Sequence, residues 1–263
     1  MKIAFIGAGN MASAIIRGMC RGDFSGEQIA AYDIDSDKTR ALAEEWGMTA
    51  APSPQEAVKG ADSVVLAVKP QMFAQVVPPL RECLEEGTLL ISIAAGKTLA
   101  DIAALAGEER AIVRVMPNIN ATVSAAISAY VGNSHVTQEQ KALVARIFDA
   151  VGQSMELREE DFSLFSAIAS CSPAFTLLYM DALAQAGVKH GLPKDKALKI
   201  ASQAVLGTAR LLQETGEHPR ALMDAVCSPG GTTIEGVCAL QREGLEAAVI
   251  AAVDASLEKD KKL

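Results

Sequence analysis

Lys2–Ala12 reads KIAFIGAGNMA, and the reading of this stretch decides the fold. Ile3–Ile6 is a short apolar run closed by glycine, the pattern of a strand buried on both faces. Gly7, Gly9 and Ala12 come next in the spacing G-x-G-x-x-A, and a helical apolar pattern (Met11, Ala14, Ile15, Met19) begins inside it. Gly7 permits a tight strand-to-helix turn, Gly9 has no side chain to hold off a pyrophosphate, and the small Ala12 lets the helix pack close on the strand. Free N–H groups at the helix start are the expected phosphate donors. Glycine turns alone are common, so the context carries the inference. A strand stands before the turn, a helix after it, and Asp33 ends a second apolar run, Ile29–Tyr32. The stretch is read as a dinucleotide site.

Composition sets the outer limits. The 263 residues suit two domains or one large one, and half of them are hydrophobic while only 4% are aromatic. The core is therefore expected to be mostly Ala, Val, Leu and Ile. A net charge of -8 with no basic cluster argues against nucleic acid or an acidic membrane as partner. The chain runs straight into a strand with no signal peptide in view, and no apolar run is read as long enough to span a membrane. The five cysteines, Cys20, Cys83, Cys171, Cys227 and Cys238, form no C-x-x-C pair and no zinc spacing, so free thiols and no metal are expected. The expectation is a cytoplasmic protein.

Beyond Asp33, Ser36 is read as the cap of a helix over Asp37–Trp46, with a weak strand near Met48–Ala51 and a short helix from Pro54 after it. Ser63–Val68, Thr88–Ile93 and Ala111–Val115 are continuous apolar strands, ending at Lys69-Pro70-Gln71, Ala94–Lys97 and Met116-Pro117-Asn118. Strands alternating with helices predict a parallel sheet with right-handed crossovers. Ligands collect beyond the carboxyl ends of such strands, which is where Lys69, Lys97 and Asn118 fall. Ala125–Val131 and Gln153–Leu157 read as closing strands around a helix at Gln138–Val151.

From Glu159 onward only helical patterns appear. Ser172-Pro173, Pro193, Pro219 and Thr232-Thr233 read as helix openings, and a last helix runs from Leu245 into the charged tail Glu258–Lys262. The division predicted is an α/β unit over residues 1–158 and an all-helical one over 159–263. In Ala174–Lys189 the polar residues thin to a stripe of Asp181, Gln185 and Lys189, and Ala247–Val253 is unbroken apolar sequence. Helices so apolar need cover on most sides, which predicts an obligate homodimer. Between two of the helices lies Cys227-Ser228-Pro229-Gly230-Gly231-Thr232-Thr233-Ile234. It reads either as a small-anion receptor built on hydroxyls and helix-start N–H groups, or as an ordinary turn with a threonine cap.

Five segments give the chain a resemblance to pyrroline-5-carboxylate reductases over essentially its whole length. They are FIGAGNMA at Phe5–Ala12, AVKPQ at Ala67–Gln71, SIAAG at Ser92–Gly96, RVMPN at Arg114–Asn118 and CSPGGTTIE at Cys227–Glu235. The resemblance implies a Rossmann-type, doubly wound, mainly parallel sheet and then an all-α dimerisation domain. It implies NADPH or NADH as cofactor and reduction of 1-pyrroline-5-carboxylate to L-proline, in a homodimer that in some relatives builds a ring of dimers. To the cofactor residues read from the turn and its context, Gly7, Ala8, Gly9, Asn10, Met11 and Asp33, it adds Ala67, Lys69, Pro70 and Asn118, with Asn118 near the nicotinamide. It assigns Ser228, Gly230, Gly231, Thr232 and Thr233 to the substrate carboxylate, held near the cofactor of the partner subunit.

The chain departs from that family at two places. Ser170–Phe175 reads SCSPAF where relatives carry glycines before the proline and a tyrosine after it, and Asp33 stands where relatives often have a neutral or phosphate-tolerant residue. The residue inventory also bears on chemistry. Oxidising an alcohol needs a base, and the helix from Ala174 holds no lysine before Lys189, while His135, His190 and His218 fall in loops or at helix ends. A protonated cyclic imine needs only hydride at carbon, so the inventory favours imine reduction, with Thr233 as the hydrogen-bond partner of the ring nitrogen. Another imine or hydroxyacid reductase, or a nicotinamide-sensing protein without turnover, is the alternative. Asp33 argues for NADH, and Ser36, Lys38 and Arg40 stand close enough in sequence to meet a phosphate if Asp33 turns outward. Both coenzymes are expected to work, NADH better than in typical relatives.

Overall fold

The computed structural model describes residues 1–261. Lys262 and Leu263, which close the expected tail and second domain, lie outside the described residues. Two compact units divide the chain, Met1–Ser170 and Cys171–Leu263.

The first unit is built on one sheet of eight strands, β1 (Ile3–Ile6), β2 (Ile29–Tyr32), β3 (Thr49–Ala50), β4 (Ser63–Leu66), β5 (Leu89–Ser92), β6 (Ile112–Met116), β7 (Ala126–Gly132) and β8 (Gly152–Glu156). Their order is β3-β2-β1-β4-β5-β6-β7-β8, and every neighbouring pair is parallel except β6 with β7. The order reverses at β1, because the chain winds out to β3 on one side and to β6 on the other. Alternation along the strands explains why both faces are covered. Ile3 and Phe5 point into one core with Ile15, Ile16 and Phe148, while Ala4 and Ile6 point into the other with Phe73, Leu80 and Ile102. Helices Asn10–Arg21 and Gln138–Asp149 close the first face, and Pro54–Val58, Phe73–Arg81 and Leu99–Ala106 close the second. The sheet is doubly wound.

Local chemistry adjusts two of the expected boundaries. The helix read from Asp37 begins at Ser36, and its cap is the Asp35 carboxylate, which accepts the Asp37 N–H. The α-helix read at Ser172-Pro173 begins at Ser172, but not at a free end, and Ser172 is not its cap. Helical turns run on from Glu159 to Lys189, with one π-helical turn at Ser166–Cys171 immediately before Ser172. Pro173 has no N–H for the Ala169 carbonyl four residues back, and that carbonyl accepts from the Asn118 side chain instead, so the chain passes through the π turn without a break. The run of 31 residues is therefore long and apolar enough to cross a membrane by length and composition, contrary to the reading of the sequence as holding no such run. Asp181 lies within it.

The second unit is all helix, Ser172–Lys189, Lys194–Thr215, Pro219–Val226, Thr232–Arg242 and Leu245–Asp260. The first two pack closely through small residues, since a Cβ added at Gly187 would meet the Ala197 Cβ at 2.8 Å. Lys194 of one pairs with Asp181 of the other, which lowers the Asp181 carboxyl below the usual range. Most of the apolar surface is uncovered, including Leu177, Leu178, Val249 and Ile250.

Candidate active site

The crevice at the strand reversal lies between the loops that leave β1 and β4. Gly7 donates its N–H to the Tyr32 carbonyl at 2.7 Å, and Ala67 donates to the Ile6 carbonyl at 2.8 Å, so the two loops leave the sheet side by side. Gly7 has φ +103°, and a Cβ there would lie 2.6 Å from the Ala67 carbonyl oxygen. Only glycine satisfies both demands. At Gly9 the situation is opposite, for an added Cβ would meet nothing within 4 Å. The space over Gly9 belongs to the crevice.

Helix Asn10–Arg21 starts at Gly9 with no side-chain cap, so the N–H groups of Asn10 and Met11 at its first turn have no intrahelical acceptor and are available to an anion. The Ala8 N–H is not. It donates to Asp33 Oδ2 at 2.7 Å, while Asp33 Oδ1 accepts from the Asp35 N–H at 2.9 Å. A cavity of about 540 Å³ opens beside this turn, with Gly7, Gly9, Asp33, Lys38, Ala67 and Lys69 in its wall, while Ala8 and Asn10 line a neighbouring one that shares Lys38. Lys69 is exposed, and Pro70 after it starts the short turn Pro70–Met72 that brings Met72 to the wall. The open floor at Gly9, the uncapped helix start and the acid at the end of β2 fit a dinucleotide. Pro54, Gln55, Gln75 and Val76 also line the cavity, and sequence reasoning missed them. The short helix at Pro54 and the apolar residues after Lys69-Pro70 were the available signals.

Lys97 and Asn118 do not line this cavity. Lys97 precedes Thr98, which caps helix Leu99–Ala106 in a reciprocal pair with Asp101, and the two Thr98 donors hold the Asp101 carboxyl below its ordinary range. Glu159 fixes the same turn by accepting the Leu99 N–H at 2.8 Å while pairing with buried Arg114 at 3.1 Å. Asn118 is 4% exposed and its amide is already engaged. Its Nδ2 donates to the Ala169 carbonyl at 2.9 Å, and its Oδ1 accepts weakly from the Ile127 N–H. The physical reason lies in Pro173, which has no N–H to give to the carbonyl four residues back. Asn118 supplies the missing donor. It holds the backbone beyond β6, and one of its two amide N–H groups is spent there.

In the second unit, Cys227–Gly231 links helix Pro219–Val226 to Thr232–Arg242. Gly230 has φ +67°, Gly231 donates to the Ser228 carbonyl at 3.0 Å, and a Cβ at Gly231 would lie 2.4 Å from Ser228 Oγ. The helix cap is Gly231, and no side chain caps it. The loop therefore has no threonine cap. Thr232 and Thr233 fall inside the first turn, with hydroxyls that play no capping part and N–H groups free for an anion.

Two family descriptions match separate parts of the chain. The family description "Pyrroline-5-carboxylate reductase dimerisation" matches residues 159–263, and "NADP oxidoreductase coenzyme F420-dependent" matches residues 2–96. The chain is 42% identical over 263 residues to a pyrroline-5-carboxylate reductase of Escherichia coli (strain K12), covering 100% of this chain and 98% of that one. A solved pyrroline-5-carboxylate reductase from Coxiella burnetii superposes with a TM-score of 0.96 at 33% identity, covering 99% of this chain and 97% of the other. The Plasmodium falciparum pyrroline carboxylate reductase, solved with NADP bound, superposes with a TM-score of 0.86 at 29% identity, covering 100% and 97%.

Proposed function

The chain belongs to the pyrroline-5-carboxylate reductase family, and we infer from that membership that it reduces 1-pyrroline-5-carboxylate to L-proline with NAD(P)H. The match over the whole chain to a reductase 42% identical carries the reading. The cofactor, when bound, supplies the hydride that reaches the imine carbon.

The rest is work for the chain's own residues. In the crevice, Asn10 and Met11 N–H groups hold the pyrophosphate over Gly7 and Gly9, Ala8 keeps the loop in shape through Asp33, and Ala67, Lys69 and Pro70 border the far side. Asn118 serves the same site indirectly, by fixing the backbone after β6. In the substrate loop, Gly230 and Gly231 set the turn. Ser228 and the N–H groups of Thr232 and Thr233 hold the carboxylate, an anion at an uncapped helix start. The Thr233 hydroxyl hydrogen-bonds the ring nitrogen and keeps the imine oriented. No base is needed, because the substrate arrives protonated and leaves as an amine.

A dimerisation domain makes the enzyme an oligomer. The proposed assembly is an obligate homodimer, open to a ring of dimers, in the cytoplasm. Its apolar support is the uncovered surface at Leu177, Leu178, Val249 and Ile250.

Loss of reduced-nicotinamide absorbance with pyrroline-5-carboxylate, against a panel of keto acids and other imines, tests the assignment. Turnover only with the cyclic imine is expected, and turnover only with a keto acid would refute it. The same assay examines Thr233. A bond that strengthens as the nitrogen becomes an amine acts on kcat. Thr233→Val should lower kcat by about tenfold to a hundredfold, below the upper range for losing one oxyanion donor. Melting temperature should hold, since Gly231 is the cap, and Thr232→Val serves as the neighbouring control. Unchanged kcat in Thr233→Val would remove the hydroxyl from the reaction.

A further inference from the structure

Asp33 stands at the end of β2, in the wall of the 540 Å³ cavity, with its side chain 12% exposed. Two backbone donors fix it, Ala8 N–H on Oδ2 at 2.7 Å and Asp35 N–H on Oδ1 at 2.9 Å. A carboxylate has about four acceptor positions, so about two remain, the number that a ribose diol fills. Turning this carboxylate outward to admit a phosphate would break both bonds and strip the loop Gly7–Gly9 of its brace. The residues expected to meet a phosphate, Ser36, Lys38 and Arg40, are also sorted by the fold. Arg40 is turned onto Asp37, and Ser36 lies outside the cavity wall. Lys38 alone of those three lines the cavity, with Nζ 3.7 Å from Asp33 Oδ1 and 3.5 Å from Asp35 Oδ2.

We propose that Asp33 is the coenzyme-selecting residue of this chain, locked facing the adenosine ribose, and that Lys38 is the residue through which a 2′-phosphate is tolerated. The enzyme is then an NADH-preferring member of its family. This rests on the reductase reading for the presence of a coenzyme, and it adds which coenzyme and which side chains decide. An immobile carboxylate accepts from the ribose hydroxyls and repels a 2′-phosphate. Lys38, shared between Asp33 and Asp35, offsets that repulsion only in part. The same carboxylate braces Ala8, so selection and loop shape are one device.

Coenzyme binding without substrate tests the proposal apart from the imine chemistry. Titrations of the intact protein with NADH and with NADPH, read by nicotinamide fluorescence, give the ratio of dissociation constants. Wild type is expected to bind NADH at least tenfold more tightly. Asp33→Asn keeps one carbonyl for the Ala8 N–H and removes the charge, and should narrow the ratio by about tenfold through tighter NADPH. Lys38→Ala should weaken NADPH severalfold more than NADH. Wild type binding NADPH as tightly as NADH or more so would overturn the proposal, as would an unchanged ratio in Asp33→Asn. Failure of the imine assay with this ratio intact would refute the substrate and leave the selection standing.

Discussion

Leu178→Glu is expected to leave the enzyme a folded monomer with at least a hundredfold less turnover. Leu178 is 72% exposed on helix Ser172–Lys189, beside Leu177, and Ile250 on the last helix is 63% exposed. Helices apolar on most sides are stable when a second copy covers them. Burying one leucine contributes about 1.5–3 kcal/mol, and a two-fold interface counts each change twice. An unpaired carboxylate in place of that leucine adds its own desolvation cost. Together they amount to about 4 kcal/mol or more, which raises the dimer dissociation constant by about a thousandfold. Turnover falls with assembly in the proposed dimer if the substrate loop Ser228–Thr233 meets the partner subunit's cofactor. Leu178→Met, equally apolar, should keep both. Light scattering gives the mass and the absorbance assay gives the rate. A monomer with full activity at micromolar concentration would dismiss the obligate dimer.

The second large effect separates the two glycines of the phosphate loop. Gly7→Ala sets a methyl 2.6 Å from the Ala67 carbonyl oxygen at φ +103°, so either β1 or β4 must shift. Residues with a side chain at positive φ lose roughly 1–2 kcal/mol before any clash is counted. Melting temperature and coenzyme binding should fall together. Gly9→Val adds its bulk where nothing lies within 4 Å, so the fold is expected to keep its melting temperature. Coenzyme affinity should nonetheless drop by about a hundredfold, since that space is where a pyrophosphate approaches the backbone. Calorimetry for stability and fluorescence titration for NADH distinguish the cases. Undiminished NADH binding in Gly9→Val would mean that the phosphates pass elsewhere.

Much of the fold was legible in the sequence because its determinants are local. G-x-G-x-x-A after Ile3–Ile6 fixes a turn whose two glycines differ in purpose, and the apolar runs at Ser63–Val68, Thr88–Ile93 and Ala111–Val115 are too continuous to be anything but buried strands. Asp33 was legible as an acid at the end of β2. Its lock was not, since the donors come from Ala8, twenty-five positions earlier in the chain, and from Asp35. Asn118 illustrates the same limit. Its place after β6 pointed to the crevice, but one of its amide N–H groups serves a carbonyl that Pro173 leaves without a helical donor, a pairing across 51 positions. Ser172-Pro173 resembles a helix start in any short window, and only the turns before it show that the helix continues. Thr232 and Thr233 stood open between cap and anion receptor, and the choice turns on Gly231 holding the cap position.

The most direct test of the central claim tracks the hydride itself. NADH carrying deuterium at its transferable position is incubated with the enzyme and pyrroline-5-carboxylate, and the product is analysed by mass spectrometry and NMR. One L-proline per NADH consumed is predicted, with one deuterium on the carbon that was the imine carbon. Proline without deuterium there, or oxidation of NADH with no proline formed, would contradict it.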